Sequence, residues 1–378
     1  MPALQTNNLR AGDVRAKIPA AARQRSTAKG LLLFAVGAGL YLGTLLATVL
    51  APWWPLKLLF SLANAFFLAT LFVIGHDACH EAFVPSRWLN ALLGRIAFLP
   101  SWHSFAGWEN AHNHVHHAWT NLRHKDFVWM PLSKEEYDRL PAWRRAMHRF
   151  YRSLPGLGAY YFLEIYFPKI LFPTQEYRGR KTAWRFLADD LLVAAFVVLQ
   201  AAFLAYAPRW FGMACPAVES LFFGQWLPFA VWNWLIAFLI LLHHTHPRIP
   251  WFDNPQEWTF YNGQIRGTAH VRFPALINWF IHDIMEHTAH HVDAHVPMYH
   301  LAEAQESMRQ AFSQDIVEHR FTPRSFRYLL KVCQLYDYQE HRWLNWAGEP
   351  TSSSTIAAPP VALIAPHALP PVADLPAF

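Results

Sequence analysis

Four stretches of the chain contain no Asp, Glu, Lys or Arg over a length that can cross a lipid bilayer. They have 20, 18, 17 and 22 residues and occupy 31–50, 58–75, 191–207 and 221–242. A bilayer core takes about 20 helical residues, with roughly 17–25 tolerated, so each stretch qualifies as a spanning helix. Buried core helices of a water-soluble protein are the alternative, and four such stretches in one chain argue against them. The sequence therefore predicts an integral, multi-pass membrane protein.

Short connections join the four stretches in pairs. Residues 51–57 separate the first two, and a short segment with Pro208, Trp210 and Pro216 separates the last two. Tryptophan is enriched where membrane helices meet the head-group region, so both connections fit turns at a bilayer surface. The sequence predicts two helical hairpins.

The distribution of Lys and Arg predicts how the spans are oriented. Six lie before the first span, 15 between the second and third, nine after the fourth, and one in each short connection. Positive residues accumulate on the cytoplasmic side, so we expect both termini and the long central loop to face the cytoplasm. Every histidine lies on that side or at a helix end that opens onto it. The expected location is a bacterial inner membrane.

Composition excludes several other classes of protein. Hydrophobic residues make up 53% of the 378 residues and charged residues only 15%, which excludes a disordered chain and a basic nucleic-acid-binding module. Cys79, Cys215 and Cys333 lie far apart with no CxxC, which excludes a disulfide framework and a thiolate zinc site. The net charge of +6 is instead typical of cytoplasmic loops that lie near anionic lipid head groups.

We expect three segments along the chain. Residues 1–30 form a basic cytosolic tail, 31–346 a membrane domain, and 347–378 a disordered tail rich in proline. The predicted fold class is an all-α integral membrane protein. Its four transmembrane helices form two hairpins, and a cytosolic helical cap carries the histidine groups described next.

The 22 histidines are grouped rather than spread along the chain. None precedes His76, and none lies between His148 and His243. Three main groups, and a fourth at the end of the last span, contain ten candidate metal ligands. These are His76 and His80; His112, His116 and His117; His244 and His246; and His287, His290 and His291.

The spacing within each group suits metal binding by helices. Side chains at i and i+4 share a helix face, so His76 and His80 can reach one ion, as can His112 and His116. His117 lies about 100° further round such a helix and is expected to serve a neighbouring ion. The third main group has its histidines at i, i+3 and i+4, on one face.

Imidazoles in this number indicate two metal ions. Neutral imidazole suits zinc, copper, iron and nickel, and a single tetrahedral zinc takes only three or four ligands. Eight to ten histidines therefore favour two ions, and an all-nitrogen site beside apolar spans favours oxygen activation by iron. A zinc protease is not supported, because the segment nearest to HExxH, at residues 80–84, lacks the second histidine.

At these residues the chain resembles the membrane-bound fatty acid desaturases, in particular the acyl-lipid group of delta-12 or omega-6 type. The likeness covers roughly 31–346. The histidine boxes are shared by desaturases, hydroxylases and ketolases. The HTHP element and the residues around the third box restrict the resemblance to the delta-12-like branch. The segments that carry it are HDACH at 76–80, WENAHNHVHHAWTN at 108–121, DFVW at 126–129, HTHP at 244–247 and EHTAHHVDAHVPMYH at 286–300.

The resemblance implies a di-iron centre whose ligands come from the histidine boxes. The family also needs at least one ligand between the second and third boxes, and His244 and His246 are both candidates. The second box, HxxxHH, is one residue longer than the common HxxHH, so the part played by His114 stays open. Position by position, the implied box ligands are His76, His80, His112, His116, His117, His287, His290 and His291.

The implied activity is insertion of a cis double bond into a fatty acyl chain of a membrane lipid, with O2 as co-substrate. Two electrons come from a separate donor, a ferredoxin or a small cytochrome, since no cytochrome-type haem segment occurs. Asp77, Glu81, Glu109 and Asp293 are candidate partners for the N–H groups of ligating imidazoles, whose tautomer and orientation such partners fix. Solvated carboxylates at the membrane surface are the alternative interpretation for each.

Two other functions stay open at this point. Hydroxylases and ketolases of the same superfamily act on alkane, carotenoid or sterol-like substrates, and the ligands alone do not separate them from desaturases. A divalent-metal carrier is a different class, but the four spans contain no internal acidic or histidine relay of the kind that transport needs. Tightly held iron distinguishes the oxidase from a carrier, whose metal exchanges.

Overall fold

The computed structural model describes residues 9–173 and 183–356, and this part of the chain is mostly helical. In chain order the α-helices are α1 (Ala11–Arg15), α2 (Thr27–Leu50), α3 (Trp54–Cys79), α4 (Arg87–Phe98), α5 (Phe105–Trp108), α6 (Lys134–Arg139), α7 (Ala142–Tyr151), α8 (Leu157–Tyr160), α9 (Ala183–Trp210), α10 (Ala217–Leu221), α11 (Leu227–His244), α12 (Ala275–Phe280), α13 (His287–Val292), α14 (Leu301–Phe312) and α15 (Pro323–Val332). Wider π-helical turns occupy Glu109–His116, Tyr161–Leu171, Phe222–Trp226 and Asn262–Arg266, and 3-10 turns occupy Ala20–Arg23, Leu99–Ser101, Leu154–Gly156 and Met298–His300.

Four helices in the described residues are long and apolar enough to cross a bilayer. They are α2, α3, α9 and the continuous helix that runs from α10 through a π-helical turn into α11. The four predicted spans lie inside these helices, so the prediction of a membrane protein is confirmed. Ser26 caps α2 by accepting the backbone N–H of Lys29, and Pro55 lies in the first turn of α3, where no backbone N–H is needed.

The spans pack so that their histidine ends meet. Helix α2 packs along α3, and α3 also contacts α4 and α11. Because α3 carries His76 near its end and α11 ends at His244, their contact brings these two side chains to the same end of the bundle. At the opposite end, Lys57 Nζ lies 2.9 Å from Glu219 Oε1, which joins the first turn of α3 to α10.

Two small β-sheets show that the all-α prediction was incomplete. Strand β1 (Ala269–Arg272) pairs in parallel with β2 (Val317–Arg320). Strand β3 (Leu335–Asp337) pairs antiparallel with β4 (Arg342–Leu344). The strands have only three or four residues, below the usual length of five or six, so residue patterns do not indicate them. The fold is mostly helical with little sheet.

The N-terminal segment packs against the domain, which corrects the prediction of a free tail over 1–30. Arg23 Nε donates to Asp293 Oδ2 at 2.6 Å, across 270 positions of sequence. Residues 1–8 lie outside the described part of the chain. Between residues 9 and 26 the segment buries three apolar side chains, Val14, Ile18 and Ala22.

The start of the predicted C-terminal tail, 347–378, also belongs to the packed domain. Thr355 is 5% exposed, and its Oγ1 donates to the backbone oxygen of His341 at 2.8 Å. The remainder of the predicted tail, 357–378, lies outside the described residues. Proline content predicted that the tail begins at residue 347. That start is too early in the sequence, because side chains after it bond to the β3–β4 region.

Candidate metal centre

Nine histidines of the described chain come together in two adjacent groups at one end of α3 and α11. Within each group, the ring nitrogens that the histidines offer all lie within 4.8 Å of one another. The two groups touch, since the rings of His117 and His291 stack with their centres 4.1 Å apart. Group one contains His76, His80, His112, His117 and His290, and group two contains His116, His244, His287 and His291.

Group one is assembled from α3, the π-helical turn Glu109–His116 and α13. His76 lies in the last turn of α3 and His80 follows that helix directly, so they share one group as their spacing predicts. His112 Nε2 lies 2.7 Å from His76 Nε2 and 3.1 Å from His117 Nε2. His290 Nε2 lies 3.1 Å from His117 Nε2, which joins the third box to the second.

Group two is centred on His244, the last residue of α11. Its Nε2 lies 3.1 Å from His116 Nε2 and 2.9 Å from His287 Nε2. The ring of His291 completes the group, with its centre 4.9 Å from that of His244. The fourth span therefore contributes one imidazole, and the second and third boxes contribute the other three.

The second box divides between the groups in a way that the sequence analysis predicted incorrectly. It assigned His112 and His116 to one ion and His117 to a neighbouring ion. In the structure His112 and His117 share group one, and His116 joins group two. The cause is the π-helical turn, in which His117 N donates to His112 O at 2.9 Å. A bond between residues five apart widens the turn, so i and i+5 come to one side.

The third box also serves both groups. His287 and His291, four residues apart on α13, belong to group two, whereas His290 belongs to group one. The spacing predicts that all three share one helix face, and it does not predict how they divide between the groups. The helix lies between the two groups, so neighbouring positions on one broad face reach different centres.

Of the two candidates between the second and third boxes, His246 lies outside both groups. Its ring stacks on His319, with the ring centres 5.2 Å apart, and its Nδ1 accepts the backbone N–H of Arg248. His114, the extra residue of the second box, is exposed and also lies outside both groups. The sequence could not choose between His244 and His246, because the turn after α11 carries the second of them away.

Burial keeps six of the grouped imidazoles neutral. Burial is the largest cause that lowers their pKa, and the neighbouring imidazoles lower it further. A metal ion binds neutral imidazole, so these side chains need not lose a proton to act as ligands. The pKa is well below its ordinary value for His80, His112, His117, His287, His290 and His291.

The contacts between the rings fit metal ions better than hydrogen bonds. A neutral imidazole has one N–H and one bare nitrogen, so each nitrogen makes one ordinary hydrogen bond. His112 Nε2 and His244 Nε2, however, each have two other ring nitrogens within 3.1 Å. Nitrogens that bind one ion at about 2.1 Å lie about 3 Å apart, which is the spacing found here.

Unpartnered nitrogens lead to the same conclusion. Within the described residues, His80 Nε2 and His291 Nε2 are buried and have no hydrogen-bond partner. A buried polar atom left in this state costs about 1–3 kcal/mol. A cation in each group would bind these nitrogens and remove that cost. The donor set therefore fits two metal ions held by imidazole.

A buried carboxylate that the sequence analysis did not assign orients His116. Asp126 is 1% exposed, and its Oδ1 lies 2.9 Å from His116 Nδ1, on the side of the ring away from His244. The backbone N–H groups of Asn121 and Val128 also donate to Asp126. Such a pair fixes the imidazole tautomer with Nε2 free for a metal. The sequence could have indicated this residue, because Asp126 is the first residue of the DFVW segment.

An amide performs a similar role for His291. Gln264 Oε1 lies 2.8 Å from His291 Nδ1, which leaves Nε2 for the group. Thr120 Oγ1 donates to the same Gln264 oxygen at 3.1 Å and lies 3.2 Å from His291 Nδ1. No motif marked Gln264, since it lies in a π-helical turn that comes near the box only through the fold.

The four carboxylates that were predicted to orient the imidazoles have other partners. Each lies close to a box in sequence, but the helix directions turn it away from the rings. The sequence-based choice is therefore corrected to Asp126. Asp77 Oδ2 accepts the N–H of Met298, Glu81 pairs with Arg87, Glu109 pairs with Arg185, and Asp293 pairs with Arg23.

Aromatic side chains close the bundle side of group one. Trp108 stacks on His112, with ring centres 4.8 Å apart, and is 6% exposed. Phe72 contacts Trp108 edge to face at 4.8 Å, and Trp232 packs on Phe72 at 4.4 Å. These rings exclude water from the side of the histidine groups that faces the spans.

Comparisons with known proteins show the family of the chain. Residues 51–323 match the family model described as fatty acid desaturase. The sn-1 oleoyl-lipid 12-desaturase of Picosynechococcus is 28% identical, over 90% of this chain and 93% of that protein. The sn-1 acyl-lipid omega-3 desaturase (ferredoxin) of Nostoc is 29% identical, over 80% and 81%. The chloroplastic omega-6 fatty acid desaturase of Spinacia oleracea is 27% identical over 76% of this chain, which spans 61% of that longer protein.

Proposed function

The chain belongs to the fatty acid desaturase family, and from this premise we propose that it is an acyl-lipid desaturase of delta-12 or omega-6 type. It is an oxidoreductase that acts on fatty acyl groups. The proposed reaction removes two hydrogens from the acyl chain to form a cis double bond, while O2 takes up those hydrogens, two electrons from a donor and two protons to give two water molecules. The names of the Picosynechococcus and spinach relatives support this regiochemistry.

The observation that carries the proposal is the pair of imidazole groups. Iron is the proposed metal, with group one holding one ion and group two the other. All-imidazole ligation without thiolate or haem suits iron among the metals that bind nitrogen. When bound, the two irons would activate O2 for removal of unactivated C–H hydrogens.

The protein's own residues hold and shield this centre. Asp126 and Gln264 fix the orientation of His116 and His291. Phe72 and Trp108 exclude water on the side toward the spans, where an apolar chain would enter. These residues orient the metal-binding imidazoles and keep water away from the centre, and the metal would supply the chemistry.

The membrane arrangement is part of the same proposal. We infer two helical hairpins whose turns meet where Lys57 pairs with Glu219, with the histidine groups in a helical cap on the opposite, cytoplasmic side. The concentration of Lys and Arg on the histidine side supports this orientation in a bacterial inner membrane, with both termini cytoplasmic.

A separate electron donor completes the proposal. The name of the Nostoc relative includes the word ferredoxin, which supports a small iron–sulfur protein as the electron donor of this chain. Membrane lipids supply the acyl chains, and no nucleic acid takes part.

Expression in a host without polyunsaturated lipids tests the proposed reaction. We expect new double bonds, located by mass spectrometry, with the wild-type chain and none with His76→Ala, His116→Ala or His290→Ala, although each variant still inserts. His246→Ala is the matched control, because that half-buried histidine lies outside both groups and should leave product formation intact. Hydroxylated or keto products without new double bonds would contradict the desaturase proposal, as would activity in all three ligand variants.

A further inference from the structure

A cleft of about 300 Å³ lies beside the third histidine box. One wall is formed by Arg272, at the end of β1, and Asn278 on α12, and the other wall by α14. Glu286 also lines the cleft and directly precedes His287 of group two. This volume is at the lower end of the range for small-molecule sites, so it can hold a small polar group.

Helix α14 is built with one face toward the cleft. Its lining residues fall at i, i+3, i+4 and i+7, which is the spacing of a single helix face. Ala304 and Met308, on another face, are fully buried in the core and fix the helix in place. The lining residues of this helix are Ala302, Gln305, Glu306 and Arg309.

Two buried polar atoms on the cleft walls lack partners. Within the described chain, Gln305 Nε2 and Asn278 Oδ1 have no hydrogen-bond partner. Gln305 is 3% exposed, and its Oε1 accepts the N–H of Ala289 at 2.9 Å, which holds the side chain in place. An unpaired donor and an unpaired acceptor are costly when buried, so they indicate a polar ligand in the cleft.

The charges that line the cleft are balanced and accessible. Arg272, which pairs with Glu318, and Arg309 supply two cations, with side chains 48% and 44% exposed. Glu286 and Glu306 supply two anions, which pair with His270 and Arg309 respectively. A purely anionic ligand would meet both carboxylates, whereas a zwitterion can place its two charges on opposite partners.

The cleft opens beside a helix that lies against the spans. No residue of α12 is buried, and Leu276 and Trp279 are 68% and 58% exposed. The ring of Phe280 lies 5.7 Å from those of Phe66 and Phe67 in the membrane helix α3. Exposed apolar and tryptophan side chains on such a helix are typical of the bilayer interface. The cleft therefore lies beside a helix that packs on a membrane span and presents apolar side chains outward.

We propose that this cleft binds the zwitterionic head group of the lipid substrate, with the phosphate at Arg272 and Arg309 and the amine at Glu286 and Glu306. Gln305 Nε2 donates to the same phosphate. This assignment rests on the proposed function, because it gives the acyl-lipid substrate its polar anchor.

Binding of soluble head-group probes to the purified full-length protein tests the proposal. We expect isothermal titration calorimetry to show tighter binding of glycerophosphoethanolamine than of glycerophosphoglycerol or inorganic phosphate. Arg309→Gln should weaken binding of the first probe by about tenfold, the loss of one charge-assisted hydrogen bond. Glu306→Gln should reduce or reverse the preference over glycerophosphoglycerol. Arg327→Gln, on the exposed face of α15 and outside the cleft, is the control that should change nothing.

The possible results separate this site from the proposed function. Equal binding of all three probes, or binding unchanged in both Arg309→Gln and Glu306→Gln, would overturn the head-group site. Because the titration needs no turnover, selective binding by a protein that makes no double bonds would support the cleft and contradict only the desaturase proposal.

Discussion

His112 and His117 bring their Nε2 atoms within 3.1 Å of each other although they are five residues apart. The π-helical turn Glu109–His116 makes this possible, and it also sends His116 to the other group. One short segment therefore supplies ligand positions to both groups. The local widening of a helix decides how the second box is divided.

Replacing Asp126 by asparagine should weaken metal binding without unfolding the chain. The side chain keeps its size but loses the charge that holds His116 Nδ1–H, and loss of such a partner costs about 10–100-fold in metal affinity. The measurement is iron retained after dialysis against a graded series of chelator concentrations. Asp138→Asn, at a half-exposed carboxylate on α6, is the control. Retention equal to that of the wild type in Asp126→Asn would show that the carboxylate does not act through His116.

Replacing Arg23 by glutamine should detach the N-terminal segment from the third box. Arg23 donates to Asp293 and to the backbone oxygen of Ile18, and burial of Asp293 strengthens the first bond. Because the Arg23 side chain is about one-third exposed, we expect a loss of only about 1 kcal/mol, seen as a small decrease of Tm. Lys17→Gln, at an exposed position of the same segment, should leave Tm unchanged. A similar decrease in both variants would contradict a specific role for Arg23.

Truncation should show which residues of the C-terminal segment stabilise the domain. A chain that ends at Ile356 keeps the bonds of Thr351 and Thr355 and should retain its stability. A chain that ends at Gly348 loses them, and with them the hydrogen bond between Arg266 and Thr355 O. We expect Tm to fall by several degrees for the shorter chain, since each lost bond costs about 1 kcal/mol. Equal Tm values for the two truncated chains would show that residues 349–356 do not stabilise the domain.

Acid should destabilise the protein partly through His282. Burial lowers the pKa of this imidazole to about 4, so the folded chain resists a proton that the unfolded chain accepts below about pH 6.5. Its contribution to stability is complete above pH 6.5 and is lost as the pH falls from there toward 4. His282→Asn removes the titration, and asparagine tolerates the positive φ of 53° at this position. As the pH is lowered from 6.5 toward 4, Tm should fall less steeply for the variant than for the wild type. Parallel plots of Tm against pH would exclude protonation of His282 as a cause of acid destabilisation.

The sequence predicted the features that depend on local composition and spacing. Apolar length located the four spans, and nine of the ten candidate histidines lie in the two groups, eight from the histidine boxes and His244 from the HTHP element. The division of the boxes between the groups was not predictable, because it follows from a π-helical turn and from the position of α13 between the groups. Asp126 and Gln264 were missed for a related reason, since their contacts form only when distant segments pack.

Iron analysis of the purified full-length protein tests the central claim most directly. If each imidazole group holds one ion, the active wild-type chain should contain about two irons. Substitution of one ligand should lower that number, in group one with His290→Ala and in group two with His116→Ala, while His246→Ala should keep both irons. Active protein that contains no iron, or an iron content that is the same in all three variants, would contradict the account.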